Sequence, residues 1–461
     1  MYKSISGHMK LIIYCFLLIT CHLNLQAQLN PSITSWLQNT TNIMGRHYVK
    51  GNPTPIMDAV PANVQSVKYS NDWVYINATG IPAYITGPFL DGNPSIATNQ
   101  NAIFRLSLHP TKNTGTPTST TGGNIGLFIN GVALFDYRDG VSWSNASNSL
   151  KGGPLGGMGD QKWNRDAVVA EKAGFDCSKA HPAMGNYHHH QNPSAFKLDL
   201  NVISTICNLY DSDGLYVIDS NRHSPLLGFA YDGFPIYGAY AYKNTDGTGG
   251  IVRMNSSYKI RDISIRTTYA DGSTVTPGPP VNANYPLGYF REDYMYQPTS
   301  SATPDYLDEH NGRFCITPEY PIGIYCYFAT VDKQWNSAYP YVVGPTFYGV
   351  RNAMKVQGIN EPVTTYVPTS TATQNGPSTF QDVLVFPNPA NDLIAIQCND
   401  LNREDIKVEL MNESGKIISN TTMYQGSTIV YFETSTLYSG TYFIKISSAN
   451  FHTVRKIVLI K

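Results

Sequence analysis

From residue 30 to about residue 348 the chain alternates short apolar runs with clusters of Gly, Pro, Asn and Asp, the rhythm of strands and turns. GLFINGVALFDYR at 126–138 is the clearest case. Asn130-Gly131 between two apolar runs predicts a β-hairpin, because both residues tolerate the left-handed backbone that a tight turn requires. LLGFAYDGFPIYGAY at 226–240 repeats the logic around Asp232-Gly233, and Pro235, which has no N–H for a ladder, is expected on a strand at a sheet edge. Helical periodicity is confined to stretches such as SITSWLQN at 32–39 and RDAVVAEKAG at 165–174. The fold class that follows is mostly β. From 358 to 381 the text turns rich in Thr, Pro and Ser and poor in large apolar residues, so it cannot offset its ordering entropy by burial and reads as a linker. Alternation returns over 382–461, enough for about seven short strands and a small β-sandwich.

Residues 1–27 carry Lys3 and Lys10, the apolar run LIIYCFLLIT and a small residue at Ala27, the pattern of a signal peptide. The run is about half a bilayer span, so no transmembrane segment is expected after cleavage. A lipoprotein with Cys21 as the lipidated residue is the alternative. The remaining length suggests two or three domains. The formal net charge of −1 leaves no electrostatic footprint for nucleic acid or anionic membrane. Charged residues make up only 14%, against roughly 25% in a typical domain. Polarity is carried instead by Asn, Thr, Ser and 32 tyrosines. Beyond the signal lie Cys177, Cys207, Cys315, Cys326 and Cys398, and an exported protein can keep disulfides. A hairpin centred between Tyr320 and Pro321 would set Cys315 opposite Cys326, the first disulfide candidate. Cys177 with Cys207 is the second, which leaves Cys398 reduced and buried.

Two resemblances sharpen the picture. FPNPANDLIAI at 386–396, ESGK at 413–416, LYSGTYFIKI at 437–446 and the closing KIVLIK resemble the C-terminal sorting domain of the type IX secretion system. That resemblance implies the secretion machinery as a partner and a secreted or outer-cell-surface location. FDCSKAHPAMGNYHHHQNP at 175–193, LLGFAYDGFPIYGAY and LDEHNGRFCITPEYPIGIYCYFAT at 307–330 resemble the YHYH-domain proteins, exported proteins of undefined activity. Within the β-rich stretch 28–357 these blocks place that domain at about 160–345. The name-giving motif is altered here to Tyr187-His188-His189-His190, which keeps the second and fourth histidines and exchanges the third residue.

If 185–190 is a strand, His188 and His190 share one face and Tyr187 and His189 the other. Two imidazoles at i and i+2 suit one transition metal, with zinc or copper the leading ions. His181 is the nearest third ligand, because the segment 182–185 would loop it back beside the strand. His310, then Asp308, Glu309 and His223, are further candidates, as is His189. Half-buried histidines with purely structural hydrogen bonds are the plain alternative. Asp232 is a possible ligand or base, although Asp-Gly is foremost a turn pair. Tyr187, Tyr231, Tyr237, Tyr325 and Tyr327 would line a carbohydrate or aromatic cleft, or else pack across strands. No Gly-x-Ser-x-Gly elbow, phosphate loop, His-Glu-x-x-His helix or dinucleotide fingerprint is present. GGPLGGMGD at 152–160 reads as a loop, and DSDG at 211–214 is too short for a calcium site. The first functional expectation is therefore a surface metalloprotein, either a carrier, a metal-dependent hydrolase or a copper redox enzyme. The rival is a non-catalytic module for a glycan or protein ligand.

Overall fold

The computed structural model describes residues 29–40, 42–52, 54–91, 95–194, 214–216, 218–299, 303–368, 383–386, 388, 390–398, 405–424, 427, 429–448 and 452–461. The expected signal sequence 1–27, Cys207, most of DSDG and residues 369–381 of the expected linker lie outside them.

An eight-stranded sheet organises the larger part of the molecule. Its strands are β1 (Asn124–Phe128), β2 (Ala133–Phe135), β3 (Ala180–Ala183), β4 (Asn186–His189), β5 (Leu226–Ala230), β6 (Pro235–Tyr237), β7 (Gly312–Cys315) and β8 (Ile324–Phe328), in the order β3-β4-β2-β1-β5-β6-β8-β7. Both foreseen hairpins are present and share one loop geometry. Phe128 N–H donates to Val132 and Gly131 N–H to Phe128, as Ala230 N–H donates to Phe234 and Gly233 N–H to Ala230. The glycines take the left-handed position of that three-residue loop, with φ of +79° and +88°. Pro235 corrects the sequence reading, since β6 is interior, between β5 and β8. It is tolerated because it is the first residue of the strand, and the ladder to β8 begins only at Ile236.

A second, five-stranded sheet contains Val64–Tyr69, Trp73–Ala78, Ala102–Ser107, Met354–Val356 and Thr364–Tyr366. Val67, Ile76, Phe104 and Leu106 from this sheet and Leu127, Phe229 and Ile236 from the first belong to one continuous core. The chain before Trp163 is thus part of the same folded body. Thr364–Tyr366 pairs with Val67–Tyr69, so ordered structure runs into the stretch read as linker. An edge strand is held by backbone hydrogen bonds that need no apolar side chains, which is why composition missed it. Of the two foreseen helices, the first is a single turn, Pro31–Thr34. The second is Ala167–Ala170, capped by the Asp166 carboxylate and followed by a 3-10 turn at Lys172–Gly174.

The C-terminal segment folds as seven strands in sheets of three and four, around Ile394, Ile396, Val408, Leu410, Ile444, Ile446 and Ile457. No helix among the described residues is long and apolar enough to cross a membrane.

The first disulfide candidate needs correction. Cys315 and Cys326 are both free and buried. The β7–β8 register sets Cys315 opposite Ile324 and Cys326 opposite Arg313, so the two thiols are diagonal rather than directly opposed. Cys177 is buried, and its foreseen partner lies outside the described residues.

Candidate metal centre

The histidine run occupies the β3–β4 hairpin at one edge of the large sheet. Met184 and Gly185 form its two-residue turn, with φ of +48° and +83°. A side chain at Gly185 would in addition collide with Thr98. This tight turn fixes the register, and His181 stands directly opposite His188. Strand alternation brings His190 to the same face as His188 and sends His189 to the other, as the sequence pattern required.

His181, His188 and His190 are all buried, and their candidate ligand nitrogens lie within 4.8 Å of one another. Two backbone carbonyls set the outer hydrogen bonds. Nδ1 of His188 meets Asn186 O at 2.8 Å and Nδ1 of His190 meets Asp136 O at 2.7 Å. A carbonyl only accepts, so each Nδ1 carries the proton and each neutral ring presents a bare Nε2. Those two Nε2 atoms face one another at 3.1 Å. Burial pushes the pKa of His190 down to about 4 and that of His181 down to about 3, while His188 is held well below its ordinary value by burial and its charged-form neighbours. Two lone pairs therefore meet with no proton between them at neutral pH. A cation removes that conflict. Two nitrogens bound to one tetrahedral zinc at ~2.0–2.1 Å would stand roughly 3.3–3.4 Å apart, so the spacing fits a transition ion.

Aromatic rings wall the cluster. Phe135 stacks on His188 with ring centroids 3.8 Å apart, and Phe175 meets His181 edge-on at 5.0 Å. The residue that sequence reasoning missed is Glu171, at the end of the one-turn helix. Its Oε2 lies 3.3 Å from Nε2 of His181 and 3.5 Å from Nε2 of His190. Neither Glu171 Oε2 nor His181 Nε2 has a hydrogen-bond partner, although both atoms are buried. Burial raises the Glu171 pKa to about 8, helped by Asp139, Asp91 and Asp166 and opposed by Arg165. The acidic surroundings favour a bound cation. No periodic signal ties Glu171 to the histidines. The only cue was an acid at the end of a weak helical pattern about ten residues before His181.

The remaining candidates lie elsewhere. His189 points away and bonds Tyr84 Oη at 2.8 Å, within an aromatic cluster with Phe128 and Tyr187. Asp232 is fully buried and accepts from Tyr327 Oη, Gly349 N and Phe234 N, a structural turn carboxylate. His310 is bonded to Thr346, Asp308 accepts from Tyr325 Oη and from the backbone of its own turn, and Glu309 is exposed. His223 is packed between Tyr237 and Tyr242. The five tyrosines proposed for a cleft are all buried. Their hydroxyls are tied internally, for example Tyr187 to Asp176 and Tyr237 to Glu319, so they line no open cleft.

A family model described as YHYH protein matches residues 103–340, and one described as secretion system C-terminal sorting domain matches 384–461. The first match begins well ahead of the motif blocks, in keeping with the continuous core. No curated protein matches the chain. Among solved structures, a DUF3244-family protein from Bacteroides vulgatus with an immunoglobulin-like β-sandwich fold aligns at 11% identity, covering 16% of this chain and 82% of that one, with a TM-score of 0.15. The sorting tail marks a secreted or outer-cell-surface protein exported by type IX secretion.

Proposed function

The chain belongs to the YHYH protein family, and from that premise we propose that its work at the cell surface is to hold one transition-metal ion through His181, His188 and His190. The observation that carries this reading is the pair of buried Nε2 atoms 3.1 Å apart, both left bare by Nδ1 protons committed to Asn186 and Asp136. A single unpaired buried nitrogen, as at His189 Nδ1 and His223 Nε2, costs about 1–3 kcal/mol; what sets His188 and His190 apart is that their two bare nitrogens are turned toward each other. His189, on the opposite face, has no such conflict, since its Nε2 bonds Tyr84 Oη.

Zinc and copper are the leading ions, since neutral imidazole suits both. When bound, the ion would supply positive charge and Lewis acidity. The chain's own residues hold the imidazoles in their ligand tautomer, wall the cluster with Phe135 and Phe175 and keep water from the His188 and His190 faces.

The test is metal content by mass spectrometry on the untagged full chain after soaking at neutral pH, beside His188→Ala/His190→Ala. About one equivalent in the parent and none in a folded variant is the expected result. No uptake by the parent would end the metalloprotein reading and return the histidines to a structural role.

A further inference from the structure

Resting on the three-histidine reading, we propose that Glu171 is a fourth ligand and that it closes the coordination shell, so that the centre retains a divalent ion rather than offering it to a substrate. Three observations carry this. The carboxylate stands between His181 and His190, at 3.3 and 3.5 Å, about the edge length of a tetrahedron of ligands on those two sides, and a shift of its side chain toward His188 on metal binding would complete the third. Its Oε2 is buried and without a hydrogen-bond partner, although the side chain is only 19% exposed. A buried carboxylate oxygen with no hydrogen-bond partner is one that a cation would satisfy. The third observation is its mounting. Glu171 N–H donates to Ala167 O, and Glu171 O accepts from Gly174 N, while Asp166, which caps this turn, is fastened to Tyr341 Oη at 2.7 Å. The backbone is therefore held, and the side chain has no other task.

The approaches to the cluster support closure. Phe135 stacks on His188 and Phe175 meets His181 edge-on, while Glu171 lies beside His181 and His190. A site with four protein ligands keeps its ion and has no position for a reacting water. The carboxylate also sets the ion class. A charged oxygen ligand beside three imidazoles favours Zn²⁺ or another borderline divalent ion over Cu⁺, which prefers sulfur.

Cobalt(II) is the probe, because its visible absorption distinguishes four-coordinate from higher-coordinate sites, and azide tests for an open position. The full untagged chain is expected to bind one equivalent with a four-coordinate spectrum that azide leaves unchanged. Glu171→Gln keeps the side-chain shape. It is expected to bind at least ~100-fold more weakly, beyond the loss typical of an outer-shell partner, and to change colour with azide. Equal affinity and an identical spectrum in Glu171→Gln would overturn the role of Glu171 while leaving the histidine site intact. A parent spectrum that shifts with azide would overturn closure. Absence of cobalt from the parent would remove the histidine reading itself. Should Glu171→Gln fail to fold by circular dichroism, Glu171→Asp decides: a shortened carboxylate at a true ligand position weakens binding, and one at a spectator position does not.

Discussion

Asp232 and Glu171 are both acids buried beside the eight-stranded sheet, and they differ in what they touch. Asp232 sits in the β5–β6 loop with three donors on its oxygens, Tyr327 Oη at 2.6 Å, Gly349 N at 2.8 Å and Phe234 N at 3.3 Å. Glu171 lies 3.3 and 3.5 Å from the Nε2 atoms of His181 and His190, and its Oε2 makes no hydrogen bond. Burial raises both pKa values, Asp232 to about 6 and Glu171 to about 8. Residue type, burial and pKa therefore do not separate the structural acid from the candidate ligand. Satisfaction of hydrogen-bonding capacity does: one acid completes a turn, while the other keeps a buried oxygen without a partner.

The comparison breaks most sharply at the histidines. His188→Ala/His190→Ala should lower metal affinity by more than ~1,000-fold, read by competition with a chelator, because two direct ligands are lost. Asp232→Ala should leave metal content unchanged yet cost on the order of 3 kcal/mol in urea unfolding, since Tyr327 Oη and two backbone N–H groups lose their acceptor. A metal loss in Asp232→Ala without unfolding would erase the distinction drawn here.

A smaller effect comes from pH. Glu171, raised from 4.5 to about 8, and Asp166 and Asp176, each raised from 3.8 to about 7, retain protons in the folded state that the unfolded chain gives up. With more protons bound to the native state, stability falls as pH rises toward 8. The histidines oppose this trend only in part and only up to about pH 7.5, because their folded pKa values are depressed while unfolded ones, with an ordinary value of 6.5, finish losing their protons over that range. Chelator-treated protein should therefore melt lower at pH 8 than at pH 6.5, and Glu171→Gln should recover about 1 kcal/mol of the loss. An unchanged pH slope in that variant would contradict the burial ascribed to Glu171. The smallest effect belongs to His189→Phe, which forfeits the bond to Tyr84 at about 1 kcal/mol with full metal content.

Much of this was legible along the chain. Asn130-Gly131 and Asp232-Gly233 announced their hairpins, and the period of two placed His188 and His190 together and turned His189 away. The short reach from His181 to the run made it the natural third histidine. The edge strand Thr364–Tyr366 was hidden because backbone pairing leaves no mark on composition. Pro235 pointed to an edge because the rule concerns a missing N–H, and that absence costs nothing at the first residue of a strand. The five tyrosines looked like a binding surface because an aromatic ring is equally at home in a core.

By itself the sequence determined the mostly β character and the face on which two histidines lie, because these depend on local turn chemistry and on strand periodicity, and its resemblance to a known sorting domain marked the export tail. Only the tertiary structure decided which polar groups were satisfied. It supplied the Asp136 and Asn186 carbonyls that leave two imidazole nitrogens bare, the three donors that occupy Asp232, and the capped turn that brings Glu171 to the histidines. Apart from the Asn186 carbonyl and the Phe234 N–H, each two residues from its partner, those are contacts between segments with no fixed spacing in the chain, so no local pattern encodes them.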